Sequence, residues 1–256
     1  MRIVVKVGTS TLAHPSGHLN IRRVETLCKI MSDIKSAGHE MILVSSGAIG
    51  MGVGKLGLRQ RPTDIPSKQA AAAVGQCELM YTYDKMFSEY HHTVAQLLIT
   101  RDDTANEKRH NNFINTLNRL LELDTLPIIN ENDTIATDEI VIGDNDTLAA
   151  IVAQSVKADL LVLLSDIDGL YTADPHRDSS ATLLERVSKI DDSVLALAGV
   201  SSTTQGTGGM VTKLHAAEIC LSCGCDMVIA NGSRPENLYD ILDGKSVGTR
   251  FSEKSL

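Results

Sequence analysis

Apolar residues recur along this chain with two alternating periods. Arg2 to Val7 is a short β-branched run that stops at Gly8-Thr9-Ser10, the pattern of a buried strand entering a turn. Asn20 then opens a segment in which Ile21, Val24, Leu27, Ile30 and Ile34 share one helical face. Gly38 follows it, at the place where a helix end favours a residue free to take positive φ. Met41 to Val44 is a second apolar run, so this stretch predicts two parallel strands joined by a right-handed crossover helix. Further buried-strand runs are Val94 to Ile99, Leu126 to Ile129, Leu160 to Leu164 and Met227 to Ala230. Helical spacing predicts helices over 67–90, with a break, and over 106–123, 145–156 and 211–222. Such alternation makes the fold class α/β, an open, largely parallel sheet covered by helices. No repeat, low-complexity tract or Pro/Gly-rich linker divides the chain, so residues 1–256 read as one domain.

Composition narrows the classes of function. The 256 residues are 43% hydrophobic and 22% charged, which excludes a disordered or collagen-like chain. No apolar run approaches the roughly 20 residues of a spanning helix, and the N-terminus enters a strand with no small-residue cleavage site, so neither membrane insertion nor export is expected. The cytoplasm is the expected compartment. Lys and Arg number 24 against 32 Asp and Glu, a net charge of -8, with 3% aromatics and no Trp. Nucleic acid is therefore not an expected partner. The cysteines number five, so structural disulfides are not expected either.

In open parallel sheets, ligands sit beyond the carboxyl ends of the strands. Here those positions are polar: Lys6 with Gly8-Thr9-Ser10, Ser45-Ser46-Gly47-Ala48, Asn130-Glu131-Asn132-Asp133, and Ser165-Asp166. The segment Thr207-Gly208-Gly209-Met210-Val211-Thr212-Lys213 combines glycines with a helix start, a combination suited to phosphate because backbone N–H groups can approach it closely. Lys213 falls in the first helical turn, where the dipole opposes a cation by about 0.3–1 kcal/mol unless an anion compensates. The competing reading is a surface loop with a solvated lysine. Gly143-Asp144-Asn145-Asp146 packs two carboxylates and an amide before an apolar helix, and capping accounts for only one of them.

Several familiar sites are excluded. No P-loop is present, because Gly54-Lys55 is followed by Leu56 and Gly244-Lys245-Ser246 lacks the upstream glycine. The dinucleotide fingerprint fails after the first strand. Gly50, Gly52 and Gly54 resemble a phosphate turn one strand late, or form a mobile turn. Cys220, Cys223 and Cys225 make an incomplete tetrahedral set, and packing is the expected role. His91, His92, His110 and His176 have no paired nucleophile or metal-ligand spacing.

Taken together, Lys6 to Ser10, Ser45 to Ala48, Ser67-Lys68-Gln69, Ile129 to Asp133, Gly143 to Asp146, Gly169 to Pro175, Gly206 to Met210 and Val247-Gly248-Thr249 resemble the glutamate 5-kinase family of the amino acid kinase superfamily, in family order over essentially the whole chain. The resemblance implies an αβα sandwich with an N-terminal acceptor lobe and a C-terminal nucleotide lobe. It implies ATP-dependent phosphorylation of the γ-carboxylate of L-glutamate, the first step of proline synthesis from glutamate. Carried over, Lys6, Asp146 and Lys213 would be catalytic. Ser46, Asn130, Asp133 and Asn145 would bind glutamate, and Lys6, Gly8, Thr9, Ser165, Asp166 and Thr207, Gly208, Gly209, Met210, Val211, Thr212 and Lys213 would line the ATP site. Mg²⁺ would accompany ATP, with no protein ligands identified. The same resemblance brings in proline as a feedback inhibitor, glutamyl phosphate reductase as a partner and a homo-oligomeric state. Many relatives continue into a PUA domain, which this form is expected to lack. The alternatives are a sister kinase with another acceptor, or a nucleotide-binding regulator without catalysis.

Overall fold

The order in which the strands lie decides where a ligand can sit. In the computed structural model, which describes residues 1–14, 18–136, 145–175, 177–198 and 209–253, the strands are β1 (Arg2–Val7), β2 (Glu40–Ser45), β3 (Val94–Ile99), β4 (Leu126–Glu131), β5 (Leu160–Ser165), β6 (Arg186–Val187), β7 (Asp226–Asn231) and β8 (Thr249–Phe251). They form one sheet in the order β3-β4-β2-β1-β5-β7-β8-β6. All pairings are parallel except β7 with β8. The chain builds outward from β1 to β2 on one side and to β5 on the other, so β1 is where strand order reverses. That is where a crevice opens in a doubly wound sheet.

Strand parity distributes the core between two faces. Val4, Ile42 and Leu161 pack toward α6 (Glu107–Glu122), α7 (Asn145–Ser155) and α9 (Met210–Ser222). Ile3, Val5, Leu43 and Val162 pack toward α2 (Ile21–Ser36), α4 (Ile65–Ser88) and α10 (Asn237–Leu242). Both faces are covered, which is why the strands read as nearly continuous apolar runs. The remaining helices are α1 (Thr9–Leu12), α3 (Ala48–Lys55), α5 (Arg101–Ala105) and α8 (Asp192–Ala198). None of the described helices is long and apolar enough to cross a membrane.

Local signals explain the helix ends. Asn20 accepts a hydrogen bond from the Arg23 N–H at 3.2 Å to start α2, and Gly38 beyond its end takes φ +95, a left-handed conformation that favours glycine. At the end of α9 the Cys225 N–H donates to the Cys220 carbonyl at 3.0 Å and the Gly224 N–H to that of Leu221 at 3.1 Å. These two hydrogen bonds close a Schellman turn, whose flanking pair usually packs together. Cys220 and Cys225 are that pair, both buried and free, so the cysteine cluster serves the helix end. Among the described residues no three metal-ligating side chains converge.

Two expectations are corrected. The glycines at 50, 52 and 54 lie inside α3 rather than in a turn, and α4 runs unbroken through Gly75. The reason is shared. A Cβ on Gly52 would lie 1.8 Å from the Ala71 carbonyl oxygen, and one on Gly75 would lie 1.7 Å from that of Ala48. The two helices thus touch backbone to backbone, which fixes the Ser46-Gly47 turn at the start of α3. The short strands β6 and β8 were not expected either, because neither carries a run long enough to show a period.

Gly75→Ala should therefore lower stability by about 1–3 kcal/mol, as overpacking does. Ala73→Ser, on the exposed side of the same helix, should lie within about 0.5 kcal/mol of the parent. Chemical denaturation of both variants checks this, and equal midpoints would show that α3 and α4 have room to separate.

Candidate active site

Lys6 is on the same strand face as Val4, so its side chain leaves β1 toward α7 and α9. There Lys6 Nζ lies 2.6 Å from Asp146 Oδ1, and Lys213 Nζ lies 3.0 Å from Asp146 Oδ2. The three side chains are 12%, 2% and 7% exposed for Lys6, Asp146 and Lys213. Asp146 stands in the first turn of α7, where the helix dipole favours a carboxylate, whereas Lys213 stands in the first turn of α9, where it disfavours a cation. The anion that Lys213 requires is thus supplied partly from within, by Asp146. Two ammonium groups against one carboxylate still leave a net positive charge next to the N-terminus of a 13-residue helix, a combination that attracts phosphate.

Burial alone would push the Asp146 carboxyl up. The charges of Lys6 and Lys213, with the hydrogen bonds from both, outweigh it and hold the group at about 2. Thr212 Oγ1 donates to the Gly209 carbonyl at 2.8 Å, tightening the first turn of α9. Gly209 itself is the exposed N-cap, Met210 is buried and Val211 is exposed.

A second set of side chains lies on the β2 and β4 side. Asn145, the residue before Asp146, donates from Nδ2 to Ser46 Oγ at 2.8 Å, to Asn130 Oδ1 at 3.0 Å and to the Ser45 carbonyl at 3.2 Å. Asn130, at 1% exposure, donates in turn to Gln76 Oε1 at 2.9 Å. Ser45 Oγ is 2.8 Å from the Tyr83 hydroxyl. Asp133 is half-buried in the turn after β4. On the β5 side, Ser165 is buried and its Oγ donates to Asp166 Oδ1 at 3.0 Å, with Asp166 exposed beyond the strand. Gly8 lies beside the lysine, since a Cβ there would be 3.7 Å from Lys6 Nζ, and Thr9 begins α1.

The fold thus brings Lys6, Asp146 and Lys213 into contact, joins Ser46, Asn130 and Asn145 by hydrogen bonds, and puts Ser165 and Asp166 at the end of the neighbouring strand. Thr207, Gly208, Gly143 and Asp144 lie outside the described residues, as does His176. Sequence reasoning missed Gln76 and Tyr83. The signal for Gln76 was a polar residue inside the apolar stripe Ala72, Leu79, Tyr83 and Phe87 of α4.

The donor set offers Mg²⁺ no ready-made cage among the described residues. The buried carboxylate of Asp146 already has each oxygen on a lysine, and no three metal-ligating side chains meet among the described residues. The set fits an ion that is carried in on phosphate oxygens and keeps several waters, which is the usual habit of Mg²⁺.

Known proteins resemble this chain at two levels. The profile described as "Amino acid kinase family" matches residues 1–231. Glutamate 5-kinase from Clostridium perfringens is 52% identical, over 99% of this chain and 96% of that protein. The enzyme of the same name from Listeria innocua is 49% identical, over 99% and 93%. That from Caldanaerobacter subterraneus is 51% identical, over 98% of this chain and 68% of the relative. Among solved structures, carbamate kinase from Giardia lamblia bound to AMP-PNP superposes with a TM-score of 0.68 at 18% identity, covering 99% of this chain and 98% of that one. The isopentenyl phosphate kinase of T. acidophilum in its product complex gives 0.65 at 18% identity, covering 98% and 100%. Those two likenesses establish the fold.

Because the folded carboxyl of Asp146 lies at about 2 against the usual 3.8, the unfolded chain binds more protons between those values, and stability rises with pH through that window. The contribution is fully present above about pH 4 and is lost as pH falls toward 2. Denaturant unfolding between pH 5 and 2.5 should show this slope in the parent and a shallower one in Asp146→Asn. Identical slopes would mean that Asp146 is not held ionised by the lysines.

Proposed function

The chain belongs to the amino acid kinase family and, within it, to the glutamate 5-kinases, and on that footing we propose that it transfers the γ-phosphoryl group of ATP to the γ-carboxylate of L-glutamate. The products are L-glutamyl 5-phosphate and ADP, in the first step of proline synthesis from glutamate. The observation that carries this reading is the pairing of two lysines from distant parts of the chain on one buried aspartate, at the point where strand order reverses.

The chemistry follows from charge. A glutamate γ-carboxylate, with a pKa of about 4.3, is already anionic at neutral pH and needs no general base. What opposes the reaction is repulsion between that carboxylate and the phosphate tail, followed by charge on the phosphoryl group in flight. Lys6 and Lys213 supply fixed positive charge at that point, and Asp146 keeps both ammonium groups oriented, so little reorganisation is needed when the charge develops. Mg²⁺ bound to the nucleotide would neutralise phosphate oxygens. Ser165, Asp166, Gly8, Thr9 and Gly209 to Lys213 form the nucleotide half, and the resemblance adds Thr207 and Gly208 to it. Ser46, Asn130, Asp133 and Asn145 form the acceptor half, with Asp133 suited to the α-ammonium because a carboxylate can only accept.

The finer parts of the reading rest on the same family membership. Glutamyl phosphate reductase is a fitting consumer because an acyl phosphate is labile in water. Proline as inhibitor, a homo-oligomeric state and a cytoplasmic location are proposed with it.

ADP release measured across L-glutamate, N-acetylglutamate, aspartate, carbamate and UMP should favour L-glutamate, and preference for another acceptor would reassign the enzyme to a sister activity. Lys213→Met should lower kcat by about 10²- to 10⁴-fold with the fold intact, since its contact strengthens in the transition state. Asp133→Ala should raise KM for glutamate far more than KM for ATP. Steady-state kinetics with circular dichroism checks both, and equal rises in the two KM values would remove Asp133 from the acceptor half.

A further inference from the structure

The hydrogen bonds on the β4 side have a direction that can be deduced atom by atom. Asn130 Oδ1 accepts the backbone N–H of Glu131 at 2.9 Å, and a backbone N–H can only donate, so the orientation of this amide is fixed. Its Nδ2 must then be the atom that faces Gln76 at 2.9 Å, which obliges Gln76 to present Oε1. The other end of Gln76, Nε2, is left as a buried donor with no hydrogen-bond partner. Gln76 as a whole is only 8% exposed. Buried polar groups are almost always paired, and leaving one unpaired is costly, so this donor calls for a partner.

The position of the orphan donor indicates what would make that bond. Asp146 carries the lysines, Asn145 is its neighbour in sequence, Asn145 bonds Asn130, and Asn130 bonds Gln76. Gln76 therefore ends a relay that leads away from the phosphoryl centre. The residues assigned to the acceptor, Ser46, Asn130 and Asn145, lie along that relay, so an amino acid whose γ-carboxylate is beside the lysines would run toward Gln76. A free amide N–H₂ group can only donate, so it suits a carboxylate and not an ammonium group.

We infer that Gln76 is a substrate-contacting residue whose Nε2 donates a hydrogen bond to the α-carboxylate of the amino-acid acceptor, with Asn130 locking the amide so that it cannot flip. This rests on the acceptor reading given above. It makes Gln76 a specificity residue from a helix that contributes none of the other proposed site groups.

Two variants test it. Gln76→Glu keeps an oxygen for Asn130 but replaces the free donor with an acceptor that repels a carboxylate once ionised. Gln76→Met keeps the approximate volume and can make neither bond. Both are assayed from pH 5 to 9, a range that spans ionisation of a carboxyl raised by burial from its ordinary value of about 4.3, with KM for glutamate and for ATP and thermal unfolding measured in parallel. The expected result is a rise in KM for glutamate of about 10- to 100-fold in both variants, the loss typical of a hydrogen bond to a charged group. In Gln76→Glu that rise should grow with pH, while KM for ATP stays within about twofold. Normal glutamate KM in Gln76→Glu throughout this range, alongside a damaged Gln76→Met, would overturn the inference and leave Gln76 as a support for Asn130. Equal rises in both KM values, or failure of both variants to fold, would overturn it too. A parent protein inert toward glutamate would count against the acceptor assignment instead, and that is read from the parent alone.

Discussion

One buried carboxylate holds two ammonium groups that the chain supplies from positions 6 and 213. Burying a lysine is costly, and burying two side by side is costlier, because like charges repel in a medium that screens them poorly. Asp146 makes the arrangement possible by giving one oxygen to each. It does not cancel them. The positive charge left over is an attraction built into the fold, aimed where α9 also presents its N-terminus. Much of the surrounding structure can be understood as what is needed to keep those three side chains in place.

That requirement is met mainly by strand parity and helix packing. Lys6 reaches Asp146 because it alternates with Val5 and Val7, which are committed to the opposite core. Asn130 turns toward α4 because it shares the face of Ile128, and there it meets Gln76. On that same side the contact between Gly52 and Ala71, and between Gly75 and Ala48, leaves no space for a side chain. A close-packed crossing of this kind cannot slide without breaking, so the turn carrying Ser46 is held at a fixed height above the sheet.

The cations and the amides have complementary properties. The lysine–aspartate group acts through charge and tolerates some latitude in the position of its partner. The relay from Asn145 through Asn130 to Gln76 is neutral and directional, since the Glu131 backbone N–H orients Asn130 and Asn130 in turn orients Gln76. Charge suits a phosphoryl group that changes shape as it transfers. Directional donors suit recognition of a small acceptor, where a misplaced bond is expensive.

Most of the strands and long helices were legible in the sequence, because runs such as Leu160 to Leu164 and the face through Val24, Leu27 and Ile34 carry their period locally. The polar residues at the carboxyl ends of the strands were legible for the same reason, as was the need of Lys213 for an anion. What local pattern could not decide was which anion, since Asp146 lies 67 residues away and only the packing of α9 against α7 brings it near. The glycines of α3 looked like a turn, since a glycine that makes room for a neighbouring backbone is indistinguishable in sequence from one that makes a bend. Gln76 looked like an ordinary helical residue until its stripe was seen to be buried. Composition and periodicity determined the elements, because each depends on neighbours a few residues apart. The tertiary structure decided the site, because charge pairing and hydrogen-bond direction depend on distances that the chain sets only when it folds.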